Sequence, residues 1–304
     1  MPDPVTRRGA LACLGLGAGT LFTLSGGVPL AIPLAEASGR AVGRPLFVQI
    51  SDTHIGFSKE ANPDVAGTLT QAIDRVNALP VQPGLILHTG DMTHLSKPAE
   101  FEQAAGLLSR LKVTELHAIP GEHDVTDGVG TEFFARYGRP SGGRGYYSFD
   151  HQGAHFVALV NVMNFKPGGL GGLGDAQLAW LADDLRGRSA SQPLVLFAHM
   201  PMWTIYQPWG WGAGDADQVM ALVRRFGSVT VLNGHIHQIV QKTEGHVVFH
   251  TARSTAYPQP APGEGAAPGP LTVPAAELPG RLGLTSVTLA PAPAAPAIVD
   301  TTLA

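Results

Sequence analysis

Residues 46–54 read Leu46-Phe47-Val48-Gln49-Ile50-Ser51-Asp52-Thr53-His54, a short apolar run that stops at an acid and an imidazole. Such a run is too short for a helix and suits a strand buried on both faces. The construction recurs down the chain. Leu85-Ile86-Leu87-His88-Thr89 ends at Gly90-Asp91, and Leu116-His117-Ala118-Ile119 ends at Pro120-Gly121, just before Glu122-His123-Asp124. Leu194-Val195-Leu196-Phe197 runs up to His199, and Val229-Thr230-Val231-Leu232 up to Gly234-His235-Ile236-His237. Residues 65–79 place Val65, Leu69, Ala72, Ile73 and Val76 at helical spacing, and residues 98–111 do the same with Phe101, Ala105 and Leu108. Strand, polar loop, helix, strand is the pattern of an α/β sheet with helices packed against it.

Further out, Gly145–Asp150 and His155–Val160 predict neighbouring strands around a short turn, and His246–Thr251 and Leu284–Leu289 complete the set. The glycine run 168–174 leads into a helix over 175–185, with Asp175 as its N-cap. No Gly-Lys-Ser/Thr follows that run, so it is a connection and not a phosphate-binding loop. Residues 256–280 are rich in Pro, Gly and Ala. Because a strand pattern resumes after them, they are expected as an ordered flap or surface wrap.

The residues with chemistry sit where the strands end, and in an α/β sheet such positions converge on one rim. Asp52 and His54 alternate, as do His235 and His237, so an extended backbone puts each pair on one side. Carboxylates and imidazoles without sulfur suit Fe, Mn or Zn. Two such cations sharing a carboxylate polarise a phosphoryl group and acidify a water. The one cysteine, Cys13, lies near the N-terminus, away from this set, and nothing in the sequence asks for an organic cofactor.

As an ordered set, Asp-x-His, Gly-Asp, Gly-x-His-Asp, a lone His after a strand and Gly-His-x-His resemble the calcineurin-like metallophosphoesterase superfamily over residues 46–240. The resemblance implies a four-layer α/β/β/α sandwich with two facing mixed β-sheets. It also implies hydrolysis of phosphate esters by a metal-bridging hydroxide. Carried onto this chain, Asp52, His54 and His237 would hold one metal and Asp91 would bridge. His199, His235 and Glu122 would hold the second metal. His123 would meet the phosphate or protonate the leaving oxygen. Asp124 would orient its ring, with a loop-capping carboxylate as the competing account.

Two features depart from the family pattern. Glu122 stands where the superfamily usually has Asn, adding a negative charge and removing a hydrogen-bond donor. Three carboxylates disfavour a phosphate dianion more than a monoanion, which tilts the expectation toward diesters. A metal-binding or regulatory protein of the same fold with little hydrolysis is the alternative. His94, three residues after Asp91, is a further candidate for a metal or phosphate contact. Among the remaining residues, Trp203 to Gly212 is aromatic enough to wall a substrate cleft or to plug against the core. Asn161 and Asn164 are read either as substrate contacts or as loop hydrogen bonders. His88, His117, His151, His155, His246 and His250 are read as structural.

The 304 residues are 44% hydrophobic and 14% charged with a net charge of -4. That gives no electrostatic reason to expect nucleic acid as a partner, and a small phosphate ester is the expected one. Residues 1–37 resemble a twin-arginine signal: Arg7-Arg8, a Gly/Ala-rich apolar stretch, and Ala35-Glu36-Ala37 as a small-x-small cleavage site. The expectation is engagement of the twin-arginine export machinery and a periplasmic or secreted domain of residues 38–304. No stable membrane insertion of that domain is expected.

Overall fold

The computed structural model describes residues 20–25, 28–33, 46–163, 169–289 and 296–304. It divides into two units, residues 1–44 and 45–304. In the first, β1 (Thr20–Ser25) and β2 (Val28–Pro33) form an antiparallel hairpin. The rest of the proposed signal, the Arg7-Arg8 pair and the cleavage site included, lies outside the described residues.

The second unit is a four-layer α/β/β/α sandwich with two facing mixed sheets. Its elements are β3 (Leu46–Ile50), α1 (Val65–Asn77), β4 (Leu85–His88), α2 (Pro98–Leu108), β5 (Leu116–Ala118), α3 (Thr131–Tyr137), β6 (Tyr147–His151) and β7 (Ala154–Ala158). There follow α4 (Asp175–Leu185), β8 (Leu194–Phe197), α5 (Ala216–Val223), β9 (Val229–Asn233), β10 (Gln241–Glu244), β11 (Val247–Thr251), α6 (Leu278–Arg281), β12 (Gly283–Thr288) and β13 (Ala297–Thr302). One sheet has the order β13-β12-β3-β4-β5, the other β10-β11-β9-β8-β7-β6. In the first, β3, β4 and β5 are parallel and β12 pairs antiparallel with both β3 and β13. In the second, β7, β8, β9 and β11 are parallel, flanked by antiparallel β6 and β10.

The strand sequences are apolar throughout because each central strand is covered twice. Along β3, Val48 and Ile50 pack on the α1 and α2 side while Phe47 packs between the sheets. Along β8, Leu194 and Leu196 meet α4 and α5, while Val195 and Phe197 meet the opposite sheet. Phe47 meets Phe156 edge-on across the two sheets, with ring centroids 5.3 Å apart. The β6–β7 turn is Gln152-Gly153, both at positive φ (47° and 85°), as a two-residue hairpin turn requires.

Asp175 is not the N-cap of α4. It is the first helical residue, the cap position is Gly174, and no side chain caps the helix. The N–H groups of Leu173 and Gly174, just before it, donate to Asp215 Oδ2 at 2.6 and 3.0 Å and fix the chain's entry. No helix among the described residues is long and apolar enough to cross a membrane.

Candidate metal centre

Beyond the strand ends, the loops after β3 and β4 stay zipped together: Asp52 N–H donates to Gly90 O at 3.0 Å and His54 N–H to Asp91 O at 2.9 Å. The backbone is not extended there, contrary to the alternation read from the sequence. Asp52, His54, Asp91, His235 and His237 all have positive φ (53°, 40°, 50°, 69° and 55°). Five of the seven non-glycine residues with positive φ among the described residues thus belong to this cluster. Each such conformation costs about 1–3 kcal/mol and persists only where surrounding contacts enforce it. Left-handed turns, not strand alternation, bring the paired side chains together.

The glycines beside these residues leave room for that approach. A Cβ on Gly234 would lie 2.5 Å from Asp52 Oδ2, and one on Gly121 would strike the Asp91 carboxylate.

Donor atoms converge in five overlapping groups among the described residues, of which Asp52–His54–His237 and Glu122–His199–His235 share no residue, each group within 4.8 Å. Asp91 lies between them, its Oδ2 3.5 Å from His54 Nε2 and 3.4 Å from His199 Nε2. Glu122 reaches His199 Nε2 and His235 Nδ1 at 3.0 Å each. The residues fit a pair of cations: although in close charge contact, His199 Nε2, Glu122 Oε2 and both ring nitrogens of His235 are buried and make no directed hydrogen bond. Groups left so in a dry site cost free energy unless something binds them.

The far ring nitrogens fix the tautomers. His199 Nδ1–H donates to Thr89 O at 2.7 Å and His237 Nδ1–H to Tyr257 O at 2.6 Å, turning each Nε2 inward. Asp52 accepts from Ser51 Oγ at 2.5 Å and from the His235 N–H at 3.0 Å.

The charges sustain one another. Burial would raise Glu122, but His235 and His199 outweigh it and hold its carboxyl well below the usual range. Burial would lower His199, but Asp91 and Glu122 hold it well above. A divalent cation in this nest displaces the His199 proton. For His123, burial works against the proton, and Asp91, Glu122 and the His94 carbonyl outweigh it, so its pKa is raised. Its Nδ1–H donates to His94 O at 2.7 Å, leaving Nε2 for the cavity.

Asp124 does not touch the His123 ring. Its carboxylate accepts from Met92 N–H (3.0 Å), Thr93 N–H (2.8 Å), Thr93 Oγ1 (2.9 Å) and Gly121 N–H (3.1 Å). It ties the loops after β4 and β5 together, the contacts of a loop-capping carboxylate, while its charge also favours the proton on His123.

His94 lies beside the cluster, its ring stacked on His123 (4.9 Å, 15°) and converging with His54 and His123. Burial and the His123 cation lower its pKa. His88 is fully buried, with Nε2 3.3 Å from the Thr53 hydroxyl, and burial lowers its pKa to about 4. Asn161 is wholly occupied with Met200, its side chain bonding both the N–H and the carbonyl, so it has no substrate role. Asn164 lies outside the described residues. His155 sits between the carboxylates of Asp150 and Asp184, and His250 against that of Asp300, each at hydrogen-bonding distance.

A cavity of about 620 Å³ opens over the cluster. Trp209 and Trp211 of the aromatic segment line it and are buried as well, so that segment is both wall and plug. Sequence reasoning missed Phe57, Lys59, Tyr257, Gln259 and residues 266–270, which also line it. Tyr257 lies against His54 (4.8 Å, 27°) as well as holding His237. The composition of 256–280 signalled an excursion but not where it goes.

A two-sheet sandwich with a carboxylate–imidazole nest for two cations at its strand ends defines a metal-dependent phosphoric ester hydrolase. The chain belongs to the calcineurin-like phosphoesterase family, whose model matches residues 45–239. It is 25% identical over 222 residues to a probable cyclic nucleotide phosphodiesterase of Rhodopseudomonas palustris, covering 69% of this chain and 78% of that one. It is 24% identical over 234 residues to a probable glycerophosphodiester phosphodiesterase of Arcobacter nitrofigilis, covering 70% and 79%. Its fold matches the crystal structure of a dimetal phosphatase from Danio rerio with a TM-score of 0.61 at 14% identity, over 84% of this chain and 98% of that one.

Proposed function

We propose that this phosphoesterase prefers phosphodiesters and works outside the cytoplasm. In this reading Asp52, His54 and His237 hold one cation, Glu122, His199 and His235 the other, and Asp91 lies between them. The observation that carries it is Asp91 Oδ2, one carboxylate oxygen within 3.5 Å of a donor from each group. Two cations held there, Fe, Mn or Zn by donor type, supply Lewis acidity toward the phosphoryl oxygens and a water acidic enough to ionise near neutral pH.

The chain's own residues do the rest. His123, with Nδ1 fixed on the His94 carbonyl and its proton favoured by Asp91 and Glu122, is placed to give the Nε2 proton to the leaving oxygen. His94 supports that ring by stacking. Glu122 sets the charge preference. At about 5 Å and an effective dielectric near 20, each unit of substrate charge meets roughly 3 kcal/mol of repulsion from it. A monoester dianion meets this twice and a diester once. The two bacterial relatives named above are both phosphodiesterases by name, which agrees with the preference.

Residues 1–37 are proposed as a twin-arginine-type signal read by the export machinery. N-terminal sequencing of the exported protein should begin at Ser38. The central test is hydrolysis of paired monoester and diester reporters by the natively expressed protein, with metal quantified on the same sample. Turnover that tracks two metals per chain and favours the diester is expected. Two bound metals with faster monoester turnover would refute the preference.

A further inference from the structure

Resting on the phosphodiesterase reading, we infer that the second alcohol of the substrate is an apolar body, an alkyl chain or an unsubstituted ring, and not glycerol, a sugar or a nucleoside. A cavity of about 620 Å³ is far more than a phosphate fills and lies in the range of small-molecule sites. Away from the ligand nest most of its lining is apolar or aromatic: Phe57, Pro208, Trp209, Trp211, Tyr257 and the run 266–270, with Lys59 and Gln259 among them. Lys59 is the one lysine or arginine along it.

Sites that select hydroxylated substrates present buried donors and acceptors to each hydroxyl. Here the polar supply is thin. Gln259 already donates its amide to His235 O at 3.0 Å, which leaves its Oε1, and the ring of His94 lies against His123. Lys59, the Gln259 amide oxygen, the Tyr257 hydroxyl and the indole N–H of Trp211 are the side-chain groups offered beyond the nest, few and single beside the paired donors and acceptors that a ribose and a base together need. One lysine beside three carboxylates also disfavours alcohols that carry further phosphates.

The apolar wall is preorganised. Leu271 N–H donates to Pro258 O at 2.8 Å, closing residues 259–270 into an Ω-loop. Gln238 Nε2 holds the loop's base through Gln259 O (3.2 Å) and Pro260 O (2.6 Å). A methyl on Gly263 would lie 3.5 Å from the Tyr206 hydroxyl, so the loop rests on the aromatic turn. Within that turn Trp209 meets Trp211 edge-on at 5.1 Å, and Trp211 is fully buried. Little ordering is left for an apolar group to bring about on binding.

The test is a series of p-nitrophenyl phosphodiesters with a constant leaving group and a varied second alcohol: methyl, ethyl, propyl, butyl, hexyl, phenyl and glyceryl. Full burial of a methylene predicts that kcat/KM rises about three- to fourfold per carbon until the wall is filled, with glyceryl no better than methyl. Phenyl above hexyl would name a ring as the favoured form, and hexyl above phenyl a chain. Replacing residues 261–269 by two glycines should flatten the series while the metal content stays at two per chain. If that variant fails to fold, Trp209→Ser should lower the slope in the same way. A flat series, or glyceryl above butyl, in a wild-type enzyme that turns over the methyl ester would overturn the inference alone. No turnover of any ester by the two-metal protein would remove the phosphodiesterase reading and this inference with it.

Discussion

One methyl group added at either of two glycines should have opposite effects. Gly234 lies between β9 and the His235–His237 turn, and its φ is not in the left-handed region, so Gly234→Ala adds no backbone strain. The new Cβ would fall well inside contact distance of Ser51 Oγ, 2.5 Å from Asp52 Oδ2 and 3.1 Å from Thr89 O. Ser51 Oγ is held by Thr89 Oγ1 at 2.6 Å, so it has nowhere to retreat without breaking its bond to Asp52. Overpacking of this kind costs about 1–3 kcal/mol. Gly106 is exposed in α2 with nothing within 4 Å of the same methyl, so Gly106→Ala gains up to about 1 kcal/mol of helix propensity. At roughly 2–4 °C per kcal/mol, thermal melts should move down for the first variant and slightly up for the second. Because Gly234→Ala pushes a ligand carboxylate, its metal affinity should also fall by about 10–100-fold, as when an outer contact of a metal ligand is lost. A Gly234→Ala protein with wild-type melting and two tightly held metals would refute the assignment of Asp52 and the packing argument together.

Asp124→Asn should destabilise the fold by about 1–3 kcal/mol in denaturant melts, because one of the three backbone N–H groups around the carboxylate then faces an amide. The pH profile of its remaining turnover should move only slightly, since Asp91 and Glu122 hold the His123 proton more strongly than Asp124 does; a large shift would restore a ring-orienting role. Chelation should lower the melting temperature, and restoring metal at about 100 times its Kd should return about 2.7 kcal/mol; an unchanged melt would mean that the nest holds no metal. Burial would raise the carboxyls of Asp184 and Asp300, but their pairs with His155 and His250 lower them below the ordinary 3.8. Their contribution is present above about pH 4 and lost as pH falls through the folded values. The melting deficit of Asp184→Asn/Asp300→Asn at pH 7 should therefore shrink toward zero as the pH falls through those lowered values; a deficit that persists below them would not be electrostatic.

The central strands were legible because burial on both faces leaves a continuous apolar run, and β8 was read to the residue. Two of the four edge strands were not, although β5 and β6 were. All four residues of β10, Gln241–Glu244, are exposed, and β13 alternates between exposed and half-buried positions, so neither shows such a run. Helix α5 hides in eight residues before a charged pair, although Val219, Met220 and Val223 face the core. The donor set was legible because the chemistry demands those residue types. Its backbone was not, because a left-handed φ on Asp52 or His237 is imposed by tertiary contacts and leaves no mark on residue choice. The hydrogen bonds of Asp124 were not legible for a related reason: adjacency to His123 in sequence suggested a side-chain partnership, whereas its carboxylate bonds the backbone of residues 92, 93 and 121.

The nest draws Asp52, His54, Asp91, Glu122 and His123 from the ends of β3, β4 and β5, and His199, His235 and His237 from the ends of β8 and β9. These strands belong to different sheets. The two donor groups therefore do not divide by sheet: Asp52 and His54 meet His237 across the gap, and Glu122 meets His199 and His235 across it. Each proposed cation is a clasp between the sheets, and the distance it sees is set by the layer of Phe47, Leu87, Phe156, Phe197 and Leu232 between them. Interiors packed to crystal density transmit small volume changes instead of absorbing them. The hydrophobic layer is in that sense part of the metal site, fixing a separation that no single ligand residue controls.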